Sequence, residues 1–306
     1  NKVGEKFGHE FEYKEALAGG VAYDKYKEHL PKDTLYLASE CAAILFGSVG
    51  GPVEDQDNPK WKNCEKNALL GMRKHFDLFA NLRPSIVFKS LKNISILKPE
   101  TVSNGFDVLI VRELTSGIYF GEHKTENNVA TDLMKYTKDE VERIARVAFE
   151  ASMKRNKKLT SVDKANVLDC SVLWRSVVEK VAKGYPEVEI NHLYVDNAAM
   201  QLVKDPKSFD VIVTGNMFGD ILSDLSSTFA GSLGLLPSAS LNEKGFGMYE
   251  PSGGSAPDIA GQDVANPIAQ ILSASMMLKH SFGMIEESKA IDDAVIKTLE
   301  KYRTGD

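Results

Sequence analysis

Strand-like and helix-like segments alternate along the whole of this chain, and no low-complexity linker or internal repeat interrupts them. The clearest junction is Asp210-Val211-Ile212-Val213-Thr214-Gly215, an apolar strand leading straight into the helical run Asn216-Met217-Phe218-Gly219-Asp220-Ile221-Leu222-Ser223-Asp224. Alternation of this kind specifies an α/β fold, an open sheet with helices on its faces. Strands are read over residues 11–16, 43–47, 85–88, 106–113, 159–163, 189–196 and 210–214. Helices are read over 65–81, 138–156, 171–183, 197–204, 220–230 and 266–281. Several strands end on charge: Arg112, Lys164, Asp196 and, slightly beyond its strand, Asp220. Open α/β sheets bind ligands outside the carboxyl ends of their strands, so these four predict one cleft. A chain of 306 residues has room for two domains, which without a linker would have to be interleaved.

Composition narrows the partners. The 43% hydrophobic and 26% charged fractions are those of a water-soluble globular protein. A net charge of −6 provides no overall basic field for nucleic acid, so a small anionic substrate needs a local cluster of arginines. Cys41, Cys64 and Cys170 form no CxxC pair and suit reduced thiols in a cytoplasmic protein. No apolar run approaches the roughly 20 residues of a membrane helix, so no membrane partner is expected.

Four constellations carry chemistry. Asp220 and Asp224 are four residues apart on one helical face, and Asp196 ends another strand. Taken alone, Asp220 reads equally well as a helix cap and Asp224 as a solvated residue. Together with Asp196 they offer an all-oxygen donor set suited to Mg²⁺ or Mn²⁺. The second constellation is Arg73, Arg83 and Arg112, whose planar forks match carboxylates, although any one of them in isolation reads as a surface arginine. Leu69 and Leu70 precede Arg73 by four and three residues, a face able to take an aliphatic branch and a carboxylate together. Arg83, before Pro84, is placed at an element boundary. The third is a proton-transfer pair: Lys164, with a lowered pKa if a divalent cation is near, and Tyr119, which on spacing alone reads as core. The fourth is the loop Glu250-Pro251-Ser252-Gly253-Gly254-Ser255-Ala256-Pro257-Asp258-Ile259-Ala260-Gly261. It is not the GxGxxG fingerprint, and a Rossmann fold is not expected. Its small residues permit close backbone approach to a ligand. Asp258 suits a ribose diol and repels a 2′-phosphate, favouring NAD over NADP.

In these segments the chain resembles the β-decarboxylating dehydrogenase family of isocitrate and isopropylmalate dehydrogenases, most closely on the isopropylmalate side. The resemblance runs through Leu45-Phe46-Gly47-Ser48-Val49-Gly50-Gly51-Pro52, Phe79-Ala80-Asn81-Leu82-Arg83-Pro84, Val111-Arg112-Glu113-Leu114, Val162-Asp163-Lys164-Ala165-Asn166-Val167 and Tyr194-Val195-Asp196. It continues through Asn216–Asp224, the 231–239 stretch, Gly254–Gly261 and Ala265-Asn266-Pro267. It implies two interleaved open α/β/α domains: residues 1–88 with 231–306 for the cofactor, and 89–230 for metal and dimerisation, with an arm near 115–135. It implies that Arg73, Arg83 and Arg112 hold carboxylates, that Asp196, Asp220 and Asp224 bind Mg²⁺ or Mn²⁺, and that Lys164 is base and Tyr119 acid. Lys164 and Asp196 would come from the partner of a homodimer with shared active sites. Leu69, Leu70 and Val167 would decide the substrate, and an apolar pocket fits an isopropyl group. Glu65 would lie near the nicotinamide, and Gly254, Ser255, Ala256, Pro257, Asp258, Ile259 and Asn266 would contact NAD. The implied reaction is NAD-dependent oxidative decarboxylation of 3-isopropylmalate in leucine biosynthesis.

The family pattern opens with a strand and a Gly-Asp-Gly-Ile-Gly-Pro turn, and closes with a strand and a helix beyond Arg303-Thr304-Gly305-Asp306. The chain is therefore expected to be a piece of a longer protein. Gly253 stands where many relatives carry histidine. Two other readings stay open: a related NAD-dependent tartrate, malate or homoisocitrate dehydrogenase, and an inactive or regulatory subunit.

Overall fold

The computed structural model describes residues 2–302. In chain order its strands are β1 (Ile44–Leu45), β2 (Ala80–Val87), β3 (Phe106–Glu113), β4 (His123–Glu126) and β5 (Val129–Asp132). They continue as β6 (Lys158–Asp163), β7 (Glu189–Tyr194), β8 (Val211–Thr214), β9 (Pro237–Leu241) and β10 (Gly247–Pro251). Two compact units share the chain: one runs up to Leu78 and resumes at Leu233, and the other spans Phe79–Ser232.

The Phe79–Ser232 unit is built on the strand order β2-β3-β8-β6-β7. β2 runs antiparallel to β3, while β3, β8, β6 and β7 run parallel. β8 is buried throughout, as expected of a strand covered on both faces, and its Val211-Ile212-Val213 run needs no polar alternation. The core includes Val108, Ile110, Val162, Ile212, Leu202, Leu222 and Phe229. Parallel strands put Arg112, Lys164, Asp196 and the start of the Asn216–Ser227 helix at one edge of the sheet. The Lys138–Met153 helix opens on a capping box in which Thr137 Oγ1 accepts from the Glu140 amide and the Glu140 carboxylate accepts from the Thr137 amide. An exposed hairpin, β4–β5, projects from the same unit. Its two-residue turn is Asn127-Asn128, with φ of 49° and 62°, the left-handed conformation such a turn requires.

In the other unit β1 lies parallel to β10, and β10 lies antiparallel to β9. Phe46, Met72, Leu78 and Met248 form one of its core clusters, with Leu69 packed against them. The Ile268–His280 and Ile285–Leu299 helices belong here; buried Ser275 donates to the Asp292 carboxylate at 2.7 Å and thereby joins them.

Several expectations need correction. Residues 11–16 form no strand: all but Phe11 are exposed, so the segment has no face to bury. The helix read over 65–81 is a wide π-turn, Lys66–Leu70, followed by an α-helix, Gly71–His75. Asp77, at φ 48°, breaks it, and Asn81 already belongs to β2. Arg83 therefore sits inside a strand, opposite Ile110, rather than at a boundary; extended backbone satisfies the pre-proline restriction equally well. The helix carrying Asp220 begins four residues earlier, at Asn216, and Asp196 lies in the first turn of the Val195–Lys204 helix rather than on β7. Strands β9 and β10 and the Ile285–Leu299 helix were not anticipated, because Ser, Pro and Glu dilute their apolar pattern. The reading of Arg303–Asp306 falls outside the described residues.

Gly219 locks the Asn216–Ser227 helix onto β3. A Cβ there would lie 2.6 Å from Arg112 Cγ and 2.8 Å from Arg112 Cβ. Gly219→Ala is expected to destabilise the protein by about 1–3 kcal/mol through overpacking, read as a lower urea midpoint with an unchanged m-value.

Candidate active site

Arg112, next to last in β3, is a buried side chain, 2% exposed, so each part of its guanidinium needs a partner. Its Nε and Nη2 both donate to Asn216 Oδ1, at 3.1 and 2.7 Å, and Nη1 donates to Asp220 Oδ1 at 2.5 Å. Arg83, half-buried on β2, sends Nη1 to Ser223 Oγ at 2.7 Å, Asp224 Oδ1 at 3.3 Å and Asp220 Oδ1 at 3.4 Å. Tyr119 Oη donates to Asp220 Oδ2 at 3.1 Å, and the Arg112 guanidinium carbon lies 5.8 Å from the centre of its ring. Burial, with the Asp220 charge and hydrogen bond added, holds the Tyr119 hydroxyl above the usual tyrosine range and therefore protonated. Five predicted residues thus converge: Arg83, Arg112, Tyr119, Asp220 and Asp224.

Lys164 and Asp196 make a separate pair at the end of the sheet. Lys164 Nζ donates to Asp196 Oδ1 at 2.7 Å, and this bond holds the aspartate below the usual carboxylate range. Asp196 and Val167 are exposed, Val167 at 69%. Val167 rides on a turn in which its amide and that of Leu168 donate to the Lys164 carbonyl. Among the described residues, no cluster of three or more His, Cys, Asp or Glu is placed to hold a metal ion. Within one chain Asp196 therefore does not complete the Asp220–Asp224 pair. The pair itself suits a hard divalent cation: both donors are carboxylate oxygens, one helical turn apart, with side chains 32% and 69% exposed.

The other unit carries the remaining predicted residues. Arg73, 6% exposed, donates from Nη2 to Glu250 Oε1 at 2.9 Å, joining its helix to β10. Leu69 and Leu70 are half-buried at the π-turn. Gly50, at φ 141°, lies beside two predicted cofactor residues: a Cβ there would sit 3.0 Å from Glu65 Oε1 and 3.4 Å from Ser255 Oγ. This glycine, Glu65 and Ser255 form one cradle. Gly254 has open space where a side chain would be. Ala256, at φ 41° and ψ 59°, turns the chain into the short 3₁₀ helix Pro257–Ile259, leaving Asp258 exposed. Asn266 caps the approach to the Ile268–His280 helix by accepting from the Ile268 amide at 3.0 Å, and its side chain packs on Gly234.

Sequence reasoning missed Asn216, Ser223, Glu113 and Tyr136. Asn216 and Ser223 lie within the motif that was singled out, flanking Asp220, yet only the fold gives them arginine partners. Tyr136 Oη accepts from the Asn216 amide at 2.8 Å, satisfying a helix-terminal donor. Glu113, fully buried, accepts from the amides of Thr115 and Ser116. A carboxylate directly following an arginine on a strand was the one available signal.

Comparison with known proteins gives a consistent relationship. The isocitrate/isopropylmalate dehydrogenase family matches residues 1–306. The chain is 54% identical to a 3-isopropylmalate dehydrogenase of Haemophilus influenzae, over 100% of this chain and 87% of that protein. Among solved structures it is similar to the TT0538 protein of Thermus thermophilus, with a TM-score of 0.87 and 35% identity; 99% of this chain spans 59% of that one. It is also similar to an isocitrate dehydrogenase of Methylococcus capsulatus, with a TM-score of 0.86 and 33% identity, over 99% and 86% of the two chains.

Burial pushes the Glu113 carboxyl up to about 7 against the pull of its amide donors and Arg143. A carboxyl raised on folding adds stability below its unfolded pKa and loses it as pH rises through the folded value. Unfolding free energy is expected to fall by roughly 3 kcal/mol between about pH 4.5 and pH 7.5 from this group. Glu113→Gln removes that component, so subtracting the two urea-denaturation profiles should isolate it; parallel profiles would show that Glu113 does not titrate there.

Proposed function

Because this chain belongs to the isocitrate/isopropylmalate dehydrogenase family, we propose that it catalyses the NAD-dependent oxidative decarboxylation of 3-isopropylmalate to 2-oxo-4-methylpentanoate and CO₂, a step of leucine biosynthesis. The observation that carries this reading is the gathering of Arg83, Arg112 and Tyr119 around Asp220 and Asp224. Two guanidiniums against two carboxylates leave the cluster near neutrality. A divalent cation and a dicarboxylate together add no net charge and supply every group with an opposite partner.

Arg83 and Arg112 bind the malate carboxylates through bidentate-capable forks, and Arg73 supplies a third guanidinium. Asp220 and Asp224, with Asp196 from a second copy, would hold Mg²⁺ or Mn²⁺, which would supply Lewis-acid polarisation of a substrate oxygen. Glu65, Ser255 and the 254–259 loop with Asn266 would hold NAD, which when bound would supply the hydride acceptor, and Asp258 would take the ribose diol in preference to a 2′-phosphate. Lys164, from the second copy together with Asp196, accepts the hydroxyl proton as the C2 carbonyl forms. The bond between C3 and its carboxylate then breaks, releasing CO₂. Tyr119, kept protonated, delivers a proton to C3 of the resulting enol. Leu69, Leu70 and the second copy's Val167 line the isopropyl branch. Isocitrate would put a charge there without a partner. The active unit is a homodimer, a reading supported by exposed Val167 and Asp196 and by the exposed β4–β5 arm. No described helix is long and apolar enough to cross a membrane, and the proposed setting is the cytoplasm.

Steady-state assays with NAD and Mn²⁺ are expected to rank 3-isopropylmalate above isocitrate, tartrate, malate and homoisocitrate by at least tenfold in kcat/KM. An acid without an aliphatic branch in first place would overturn the leucine pocket. Asp220→Asn is expected to abolish metal-dependent turnover without unfolding the protein. Co-expressed with an Asp196→Asn copy, it should recover roughly a quarter of wild-type activity, because half of random dimers are mixed and each holds one intact site. Silence in the mixture, with mixed dimers isolated, would refute a shared site.

A further inference from the structure

The chemistry assigned to Arg112 and Tyr119 needs both side chains held still, and one buried amide touches the supports of both. Asn216, fully buried at the first position of its helix, accepts two bonds from Arg112 through Oδ1. Through Nδ2 it donates to the Ser116 carbonyl at 3.0 Å. Ser116 opens the short Ser116-Gly117-Ile118 connection to Tyr119. Its amide is anchored on the other side by Glu113, and Gly117, at φ 76°, packs where a Cβ would strike Tyr136 Oη at 2.3 Å. Tyr136 in turn accepts from the Asn216 amide. Each of the three polar groups that Asn216 presents to this network is therefore assigned: the backbone N–H to Tyr136, Oδ1 to Arg112, Nδ2 to the Tyr119 loop.

We infer that Asn216 is a positioning residue that sets the Arg112 guanidinium and the Tyr119 loop in one register, an inference that rests on the dehydrogenase reading above. Its side chain is suited to this by two properties that no charged residue combines. The amide accepts from the guanidinium without neutralising it, so Arg112 keeps its attraction for a carboxylate. The same amide also donates, which aspartate does not do, and so holds a carbonyl on the loop. A pure core role would require only that the volume be filled.

The test uses the intact enzyme with Asn216→Asp and Asn216→Ala, and malate as a substrate-like probe that reads the arginine without the full reaction. Asn216→Asp is expected to weaken malate binding, measured calorimetrically with Mn²⁺ present, at least tenfold, because the new carboxylate competes for Arg112. It should also lower kcat on 3-isopropylmalate at least tenfold and displace the alkaline limb of the pH profile, because the loop loses its donor. Asn216→Ala should lower kcat likewise, with a smaller loss of malate affinity, since it adds no charge. Folded variants with malate affinity and kcat within twofold of wild type would overturn the inference. So would failure of both variants to fold, which would assign Asn216 to stability alone. If the wild type binds malate but does not turn over 3-isopropylmalate, the dehydrogenase reading falls. Retention of tight binding by Asn216→Asp would then refute the arginine half by itself.

Discussion

A guanidinium sealed at the end of a strand is the constraint around which the Phe79–Ser232 unit is organised. Arg112 is 2% exposed, and burying an unsatisfied charge would cost several kcal/mol. The fold meets that demand through register. β3 and β8 run parallel with Arg112 opposite Thr214, so the helix that follows β8 starts beside the guanidinium. Asn216, Gly219 and Asp220 then face it in turn: an acceptor, a gap that admits the side chain's stem, and a counter-charge. The helix start, the glycine and the aspartate are one solution to one electrostatic problem.

The same solution leaves the site poised for exchange. Asp220 is shared by Arg83, Arg112 and Tyr119, so none of its bonds is a closed, private pair. The ligand set proposed above, a cation with carboxylates, would exchange these contacts like for like. In the other unit the buried Arg73 guanidinium is likewise matched by a carboxylate, that of Glu250.

Much of this was legible before the fold was known. The Val211-Ile212-Val213 run followed by Gly215 identified a covered strand leading into a helix, and the four-residue spacing of Asp220 and Asp224 put both on one face. Charged residues at the carboxyl ends of β3, β6 and β7 pointed to a common edge because parallel strands deliver those ends together. Less legible were the elements whose pattern is diluted. β9 carries serines at buried positions, and the 11–16 segment alternates like a strand but buries no face. The π-turn at Lys66–Leu70 was beyond reach, since its extra residue per turn leaves the apolar spacing looking like an ordinary helix.

The sequence by itself determined the α/β class, the acidic pair, the arginines that match it, and the small-residue loop proposed to hold a nucleotide. These depend on spacing along the chain, and local periodicity is enough to read them. Only the tertiary structure decided which partners those groups take. It set Asn216 and Ser223 against arginines that lie far away in sequence, paired Lys164 with Asp196, and left Val167 in solvent. Partner choice depends on register between strands and on burial, which are sums over the whole unit and are written in no single motif.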